Sequence, residues 1–237
     1  MATDASLSYR DDADGEFTVG LDEADPHLVA AGRPWRVFRW RRGQAHFSGW
    51  YWSATMGRHV VYESRLELAR LLLADRDLGV ARIAAQPFRI AARVEGRVRR
   101  HVPDFLLLHA DGSVSVVNVK PAAQLTEEKV AAALGWAGEV FAGRGWRHEV
   151  WSGTDPVVLS NVRFLAGFRI PERVDADLAA RIRAEAAWPA SIGQVVAARS
   201  EGAERVRPAL LHLLWSGVVA ADLSVPLSSA TVLAGAA

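Results

Sequence analysis

The stretch VPDFLLLHADGSVSVVNVKPAA, residues 102–123, sets an aspartate, Asp104, before one apolar run and an amide and an ammonium, Asn118 and Lys120, at the end of the next. Of 28 basic residues, only Lys120 and Lys129 are lysines. If Ala110, Asp111 and Gly112 form a three-residue hairpin loop with Gly112 left-handed, His109 pairs with Ser113 and, counting back, Asp104 lies opposite Asn118. Side chains alternate along a strand, so Asn118 and Lys120 then share a face, and Asp104 shares it with them. A two-residue loop would shift the pairing by one and part them. A carboxylate and an amide oxygen beside an ammonium can hold Mg²⁺ through oxygen ligands, with the lysine facing a water or a phosphate oxygen. Lysine suits that place because its ammonium is compact and its pKa shifts readily, whereas arginine stays charged. The same residues also suit a hairpin whose ends simply reach solvent.

Other elements must position this constellation. YESRLELARLLLADRD, 62–77, has a helical apolar stripe with Ser64 near its start. Residues 83–120 read as strands, with turns at Glu95-Gly96 and Asp111-Gly112. Helix 125–143 and a short strand at HEVWSG follow. This order predicts an α/β fold with a mixed sheet flanked by helices. Beyond Pro171 come helices over 174–187, 191–199 and 203–215 and two short β-prone runs around Pro226, a winged-helix-like pattern. The expected division is an acidic flexible tail, 1–32, then a domain over 33–171, then a second over 172–237.

Half of the 237 residues are apolar, enough for a sizeable core. The absence of cysteine excludes disulfides and thiolate zinc sites. No apolar run approaches a membrane span, so the expectation is a soluble, cytoplasmic protein without a membrane partner. The formal charge of +1 divides into −7 over 1–32, +9 over 33–171 and −1 over 172–237. A basic middle segment suits a polyanion such as DNA, and equally suits an ordinary arginine-rich surface. Arg36, Arg39, Arg41 and Arg42 alternate with Trp35, Phe38, Trp40, Trp50 and Trp52, a pattern open to nucleic-acid contact or to a tryptophan core. Arg99, Arg100 and His101 are further candidates for phosphate contact. Helix 203–215 reads as a protein-docking element, because its domain is not basic.

Taken in order, SRLELARLLL, AAQPFRI, VPDFLLL and VNVKPAAQL resemble the TnsA family, the endonuclease subunit of heteromeric cut-and-paste transposases, over about residues 44–168. The resemblance implies a restriction-endonuclease-like PD-(D/E)xK fold. It implies that Glu67 is the helix carboxylate, with Glu63 its competitor one turn earlier, that Asp104 is the core aspartate and Lys120 the lysine. Asn118 stands where the fold generally has a carboxylate, although an amide there also occurs within the family. The implied chemistry is two-metal phosphodiester hydrolysis with Mg²⁺, or Mn²⁺ in its place. Glu67, Asp104 and Asn118 would set the ions and Lys120 would assist the attacking water or the developing charge. Implied partners are DNA, a TnsB-like transposase and a TnsC-like AAA+ ATPase met through the C-terminal domain. The alternatives are a catalytically weak module bridging transposase and ATPase, and a stand-alone nuclease of a defence or mobile-element system.

Overall fold

In the computed structural model, which describes residues 3–36 and 47–235, the chain forms two compact units, Met1–Gly153 and Thr154–Ala237. The first contains β1 (Thr3–Arg10), β2 (Glu16–Gly20), α1 (Pro26–Ala31), β3 (Gly49–Ser53), β4 (Arg58–Tyr62) and α2 (Arg65–Arg76). It continues through β5 (Val80–Ala85), β6 (Arg89–Val94), β7 (Arg97–His101), β8 (Phe105–His109), β9 (Val114–Val119), α3 (Glu128–Gly143) and β10 (Arg147–Trp151).

The central sheet has the order β10-β9-β8-β5, with β9 and β10 parallel and the other pairs antiparallel. It is mixed, as expected. Every residue of β9 is buried, as are four of the five in β8, because helices cover both faces. Leu106, Leu108, Val114 and Val116 pack on Trp136, Ala137, Val140 and Phe141 of α3. By alternation Phe105, Leu107, Val117 and Val119 point to the other face, where α2 meets β5 and β9.

The β8–β9 hairpin has the expected loop. Gly112 takes φ +80°, its N–H donates to the His109 carbonyl at 3.0 Å, and the His109 N–H donates to Ser113 O at 2.9 Å. The register runs from Leu108↔Val114 to Phe105↔Val117, and Asp104, a bend just before β8, donates its N–H to Val117 O at 3.0 Å. A tighter turn joins β6 to β7, with Glu95 at φ +51° and Gly96 at φ +76°, the two positive angles of a type I′ hairpin.

Residues 3–32 form regular structure, contrary to the flexible tail expected over 1–32. β1 and β2 join β6 and β7 in a second sheet, β2-β1-β6-β7, and Leu7, Val29 and Ala30 are completely buried. Its carboxylates do local work: Asp11 accepts N–H bonds from Ala13 and Gly15 in the β1–β2 turn, and Asp25 caps α1. A few apolar residues between charged turns suffice once a partner sheet covers them.

Residue Asp75, near the end of α2, is a buried anchor. It accepts hydrogen bonds from Tyr51 Oη at 2.7 Å, Ser53 Oγ, and the Ala54 and Thr55 N–H groups at 3.0 and 2.9 Å. The β3–β4 turn is thereby clamped to the helix that carries Glu67.

The second unit comprises α4 (Pro156–Leu165), α5 (Ala176–Glu185), β11 (Ala190–Ser191), α6 (Ile192–Ala197), α7 (Ala203–Trp215), β12 (Val219–Ala220) and β13 (Val232–Gly235). Its small sheet has the order β11-β13-β12, and Leu178, Ile182, Val206, Leu210 and Leu214 form its core. The division falls at 153/154, before the expected 171/172, because α4 packs against α7 and buries Val162 and Leu165 there.

Candidate active site at the end of β9

Ser64 caps α2, and its Oγ accepts the Glu67 N–H at 3.0 Å while donating to Glu67 Oε1 at 3.2 Å. The Glu63 N–H donates to Glu67 Oε2 at 2.7 Å. These bonds turn the Glu67 side chain back over the helix start, where it is 8% exposed. Burial, aided by the nearby charges of Asp104 and Glu63 and opposed by the Glu63 and Ser64 hydrogen bonds, raises its pKa to about 7. Glu63 is more exposed and pairs with Arg36 at 3.3 Å. Both carboxylates line one cleft of about 420 Å³ with Arg36, Ser64, Lys120 and Gln124, and Glu67 is the one poised to gain from a cation.

At the strand ends, Asp104 Oδ2 accepts the Val119 N–H at 2.7 Å, and Oδ1 accepts no hydrogen bond among the described residues. Lys120 lies just past β9, its N–H bonded to Trp151 O. Its Nζ donates to Val119 O at 3.1 Å and lies 3.8 Å from Asp104 Oδ2. Gln86 ties the neighbouring strand in. It takes φ +45°, donates its N–H to Asp104 O at 2.9 Å and accepts the Trp35 N–H at 2.7 Å. Backbone held in that region is strained, and strain of this kind collects at functional sites.

Asn118 follows Val117, whose carbonyl accepts the Asp104 N–H at 3.0 Å, but its side chain points among the residues packed against α3. It is completely buried, and Oδ1 accepts Nε2–H bonds from His101 at 3.1 Å and His148 at 3.0 Å. Burial lowers the pKa of both histidines, and a proton on each Nε2 lets both rings donate to that oxygen. Gly138 makes room for the second ring, since a Cβ there would lie 2.8 Å from His148 Nδ1. A cation can take the Asn118 oxygen only by displacing a ring. Asn118 Nδ2 and Gln86 Oε1 are buried atoms without partners among the described residues, and both belong to neighbours of Asp104. The expected three-residue face is therefore divided. Asp104 and Lys120 meet where the strand ends and alternation lapses, while Asn118 is still inside the strand and obeys it.

Of the expected phosphate contacts, Arg39, Arg41 and Arg42 lie outside the described residues. Arg99 pairs with Glu95 at 3.3 Å, and Arg100 is exposed. His101 turns inward to Asn118 and sets its ring edge-on to Trp136, a poor posture for a phosphate. The role of His148 was missed, because nothing local in HEVW announces a contact with a residue 30 positions away.

Two carboxylates of different burial beside an ammonium suit a hard divalent cation, whose charge would relieve the cost of ionising Glu67. Among the described residues no group of three or more His, Cys, Asp or Glu side chains is placed to hold a metal, so most of any ion's shell would come from water and substrate oxygen. No helix among these residues is long and apolar enough to cross a membrane.

A family model described as TnsA-like endonuclease N terminal matches residues 77–153. Comparison with curated proteins finds no match. The matched segment holds Asp104, Asn118 and Lys120, begins after Glu67, and spans the central sheet from β5 to β10. Over residues 77–153 the chain is similar to the TnsA-like endonuclease N-terminal domain.

Proposed function

We propose that this chain is a metal-dependent DNA endonuclease subunit of a heteromeric cut-and-paste transposase, hydrolysing a phosphodiester bond at transposon ends. The observation that carries this reading is the meeting of Glu67, Asp104 and Lys120 in one place, with the Glu67 carboxyl too buried to be fully ionised at neutral pH without a cation. Glu67 and Asp104 would hold Mg²⁺, or Mn²⁺ in its place, which when bound supplies positive charge for the phosphate and a more acidic water. The Val119 N–H fixes Asp104 and leaves Oδ1 to turn toward a ligand. Lys120 Nζ spends one donor on Val119 O, and the others remain for a phosphate oxygen or the attacking water. The partners proposed are DNA, a TnsB-like transposase and a TnsC-like AAA+ ATPase. For the second unit, the order α5-β11-α6-α7-β12-β13 with sheet order β11-β13-β12 supports a winged-helix-like docking domain.

Asp104→Ala and Lys120→Ala are each expected to lower DNA cleavage by at least about a hundredfold in the assembled system, with circular dichroism unchanged. Parent-like cutting by both would place the chemistry elsewhere.

The amide at Asn118 favours a second reading, an assembly module with weak catalysis. Because both lone pairs of Oδ1 are engaged by imidazole N–H groups, Asn118→Asp is expected to pair with a histidine and leave Mn²⁺ affinity within about threefold. A gain of about tenfold in a calorimetric titration, or about 1.4 kcal/mol, would make residue 118 a metal ligand after all.

A further inference from the structure

The face of the β2-β1-β6-β7 sheet turned away from the core is basic. Ile90 and Ala92 of β6 and Leu7 of β1 are buried in the core, so alternation sends Arg89, Ala91 and Arg93 to the other face with Ser6, Arg10 and Ser8, the last covered by its neighbours. Across the β6–β7 pairing, Arg100 lies opposite Ala91 and the exposed Val98 lies opposite Arg93, on that same outward face. β2 contributes Thr18, whose hydroxyl bonds Ser8 at 2.8 Å, and Glu16, whose carboxylate is 3.8 Å from Arg89. Among the described residues Arg10, Arg93 and Arg100 pair with no carboxylate, and Arg93 reaches only the Gly96 carbonyl, at 3.2 Å. Among the described residues Glu16, opposite Arg10 and near Arg89, is the one carboxylate within 4 Å of these four arginines.

This face runs into the cleft. The guanidinium groups of Arg89 and Arg10 lie 4.6 and 5.1 Å from the centroid of the same ring, Trp35. Two like charges are held over one indole with a single carboxylate, Glu16, beside them, an arrangement a further anion would stabilise. The next residue, Arg36, lines the cleft with Glu67 and Lys120, and the Trp35 N–H bonds Gln86, which in turn bonds Asp104. The four-residue step from Arg89 to Arg93 covers roughly 13 Å, long enough to follow several phosphates of a duplex strand.

We infer that the outward face of this sheet, through Arg10, Arg89, Arg93 and Arg100, docks the duplex flanking the phosphate to be cut, with Arg36 joining it to the cleft. The inference rests on the nuclease reading, since the same DNA must enter the cleft. Duplex DNA is favoured over an acidic protein because the charges form a row on an open, polar sheet leading to a phosphodiesterase-type site, rather than the rim of an apolar patch. The lone Val98 offers such a patch no core.

The experiment is fluorescence anisotropy of a labelled 30-base-pair duplex with the full chain over a series of salt concentrations. The Arg93→Ser/Arg100→Ser double variant is expected to bind about tenfold more weakly at 100 mM salt, with the slope of log K against log[salt] reduced by about 2. Arg93→Lys/Arg100→Lys should keep parent slope and affinity, because phosphate neutralisation needs charge and not a guanidinium. Arg181→Ser/Arg183→Ser, in the other unit, should change neither. Parent-like affinity and slope in the Ser/Ser variant would overturn the docking face while leaving the nuclease reading intact. Loss of binding in the Lys/Lys variant equal to that in the Ser/Ser variant would also overturn it. Retained binding combined with loss of cutting in Asp104→Ala would keep the nuclease reading alive, whereas a parent that neither binds nor cuts any duplex would end both.

Discussion

Glu67→Gln is expected to abolish DNA cleavage and, in metal-free buffer at pH 8, to make the protein more stable than its parent. The folded-state pKa of Glu67 is raised from 4.5 to about 7, mainly by burial. A raised acid penalises the folded state as pH climbs. Below about 4.5 the group is protonated folded and unfolded, and it costs nothing. Between 4.5 and 7 the unfolded chain releases a proton that the folded one retains, and above 7 the whole penalty is present. A shift of that size corresponds to about 3 kcal/mol, which glutamine avoids by carrying no charge. That shift already includes the hydrogen bonds from Glu63 N–H and Ser64 Oγ, and glutamine stands in for the protonated acid, so the gain at pH 8 is of the same size. Thermal unfolding in EDTA should place the variant several degrees above the parent at pH 8 and level with it near pH 4. Adding Mn²⁺ should raise the parent's midpoint and leave the variant's where it was, because only the parent gains a ligand bound to the folded state alone. A variant that cuts DNA normally, or melts below the parent at pH 8, would show that this carboxyl is a structural cap.

Asp75→Ala is expected to cost at least about 3 kcal/mol, a fall of roughly 6–12 °C in the melting midpoint. Removing the carboxylate takes the shared acceptor from Tyr51 Oη, Ser53 Oγ and two main-chain N–H groups, all gathered around a residue that is 5% exposed. Asp75→Asn keeps an acceptor oxygen and should lose about half as much. Urea denaturation of the two variants against the parent checks the order, and an alanine variant within 1 kcal/mol of the parent would mean that the turn re-satisfies its donors locally. Since the clamp holds the far end of α2, cleavage should fall more than the small folded fraction lost explains, through Glu67 losing its place.

What the sequence determined by itself was short-range. Gly112 after Ala110-Asp111 dictates a three-residue loop, and that loop sets the β8–β9 register as far as Phe105↔Val117, beside which Asp104 lies. Ser64 ahead of an apolar stripe fixes where α2 starts, and the helix over 203–215 follows from its period. The ordered motifs around Asp104 and Lys120 carried the resemblance that the family match over 77–153 supports. Tertiary structure decided everything that depends on which distant segment lands on which face. Segment 1–32 became part of a sheet because β6 offered an edge to β1, a partner that a charge-rich sequence cannot announce. The carboxyl of Glu67 acquired its pKa from burial. Asn118 gave its oxygen to His101 and His148, 17 and 30 residues away, since a residue one position inside the strand end obeys the strand's alternation and Lys120, one beyond it, does not. Local hydrogen bonds and side-chain period act over a few residues and are written in order along the chain, whereas burial and charge environment are sums over neighbours that only folding brings together.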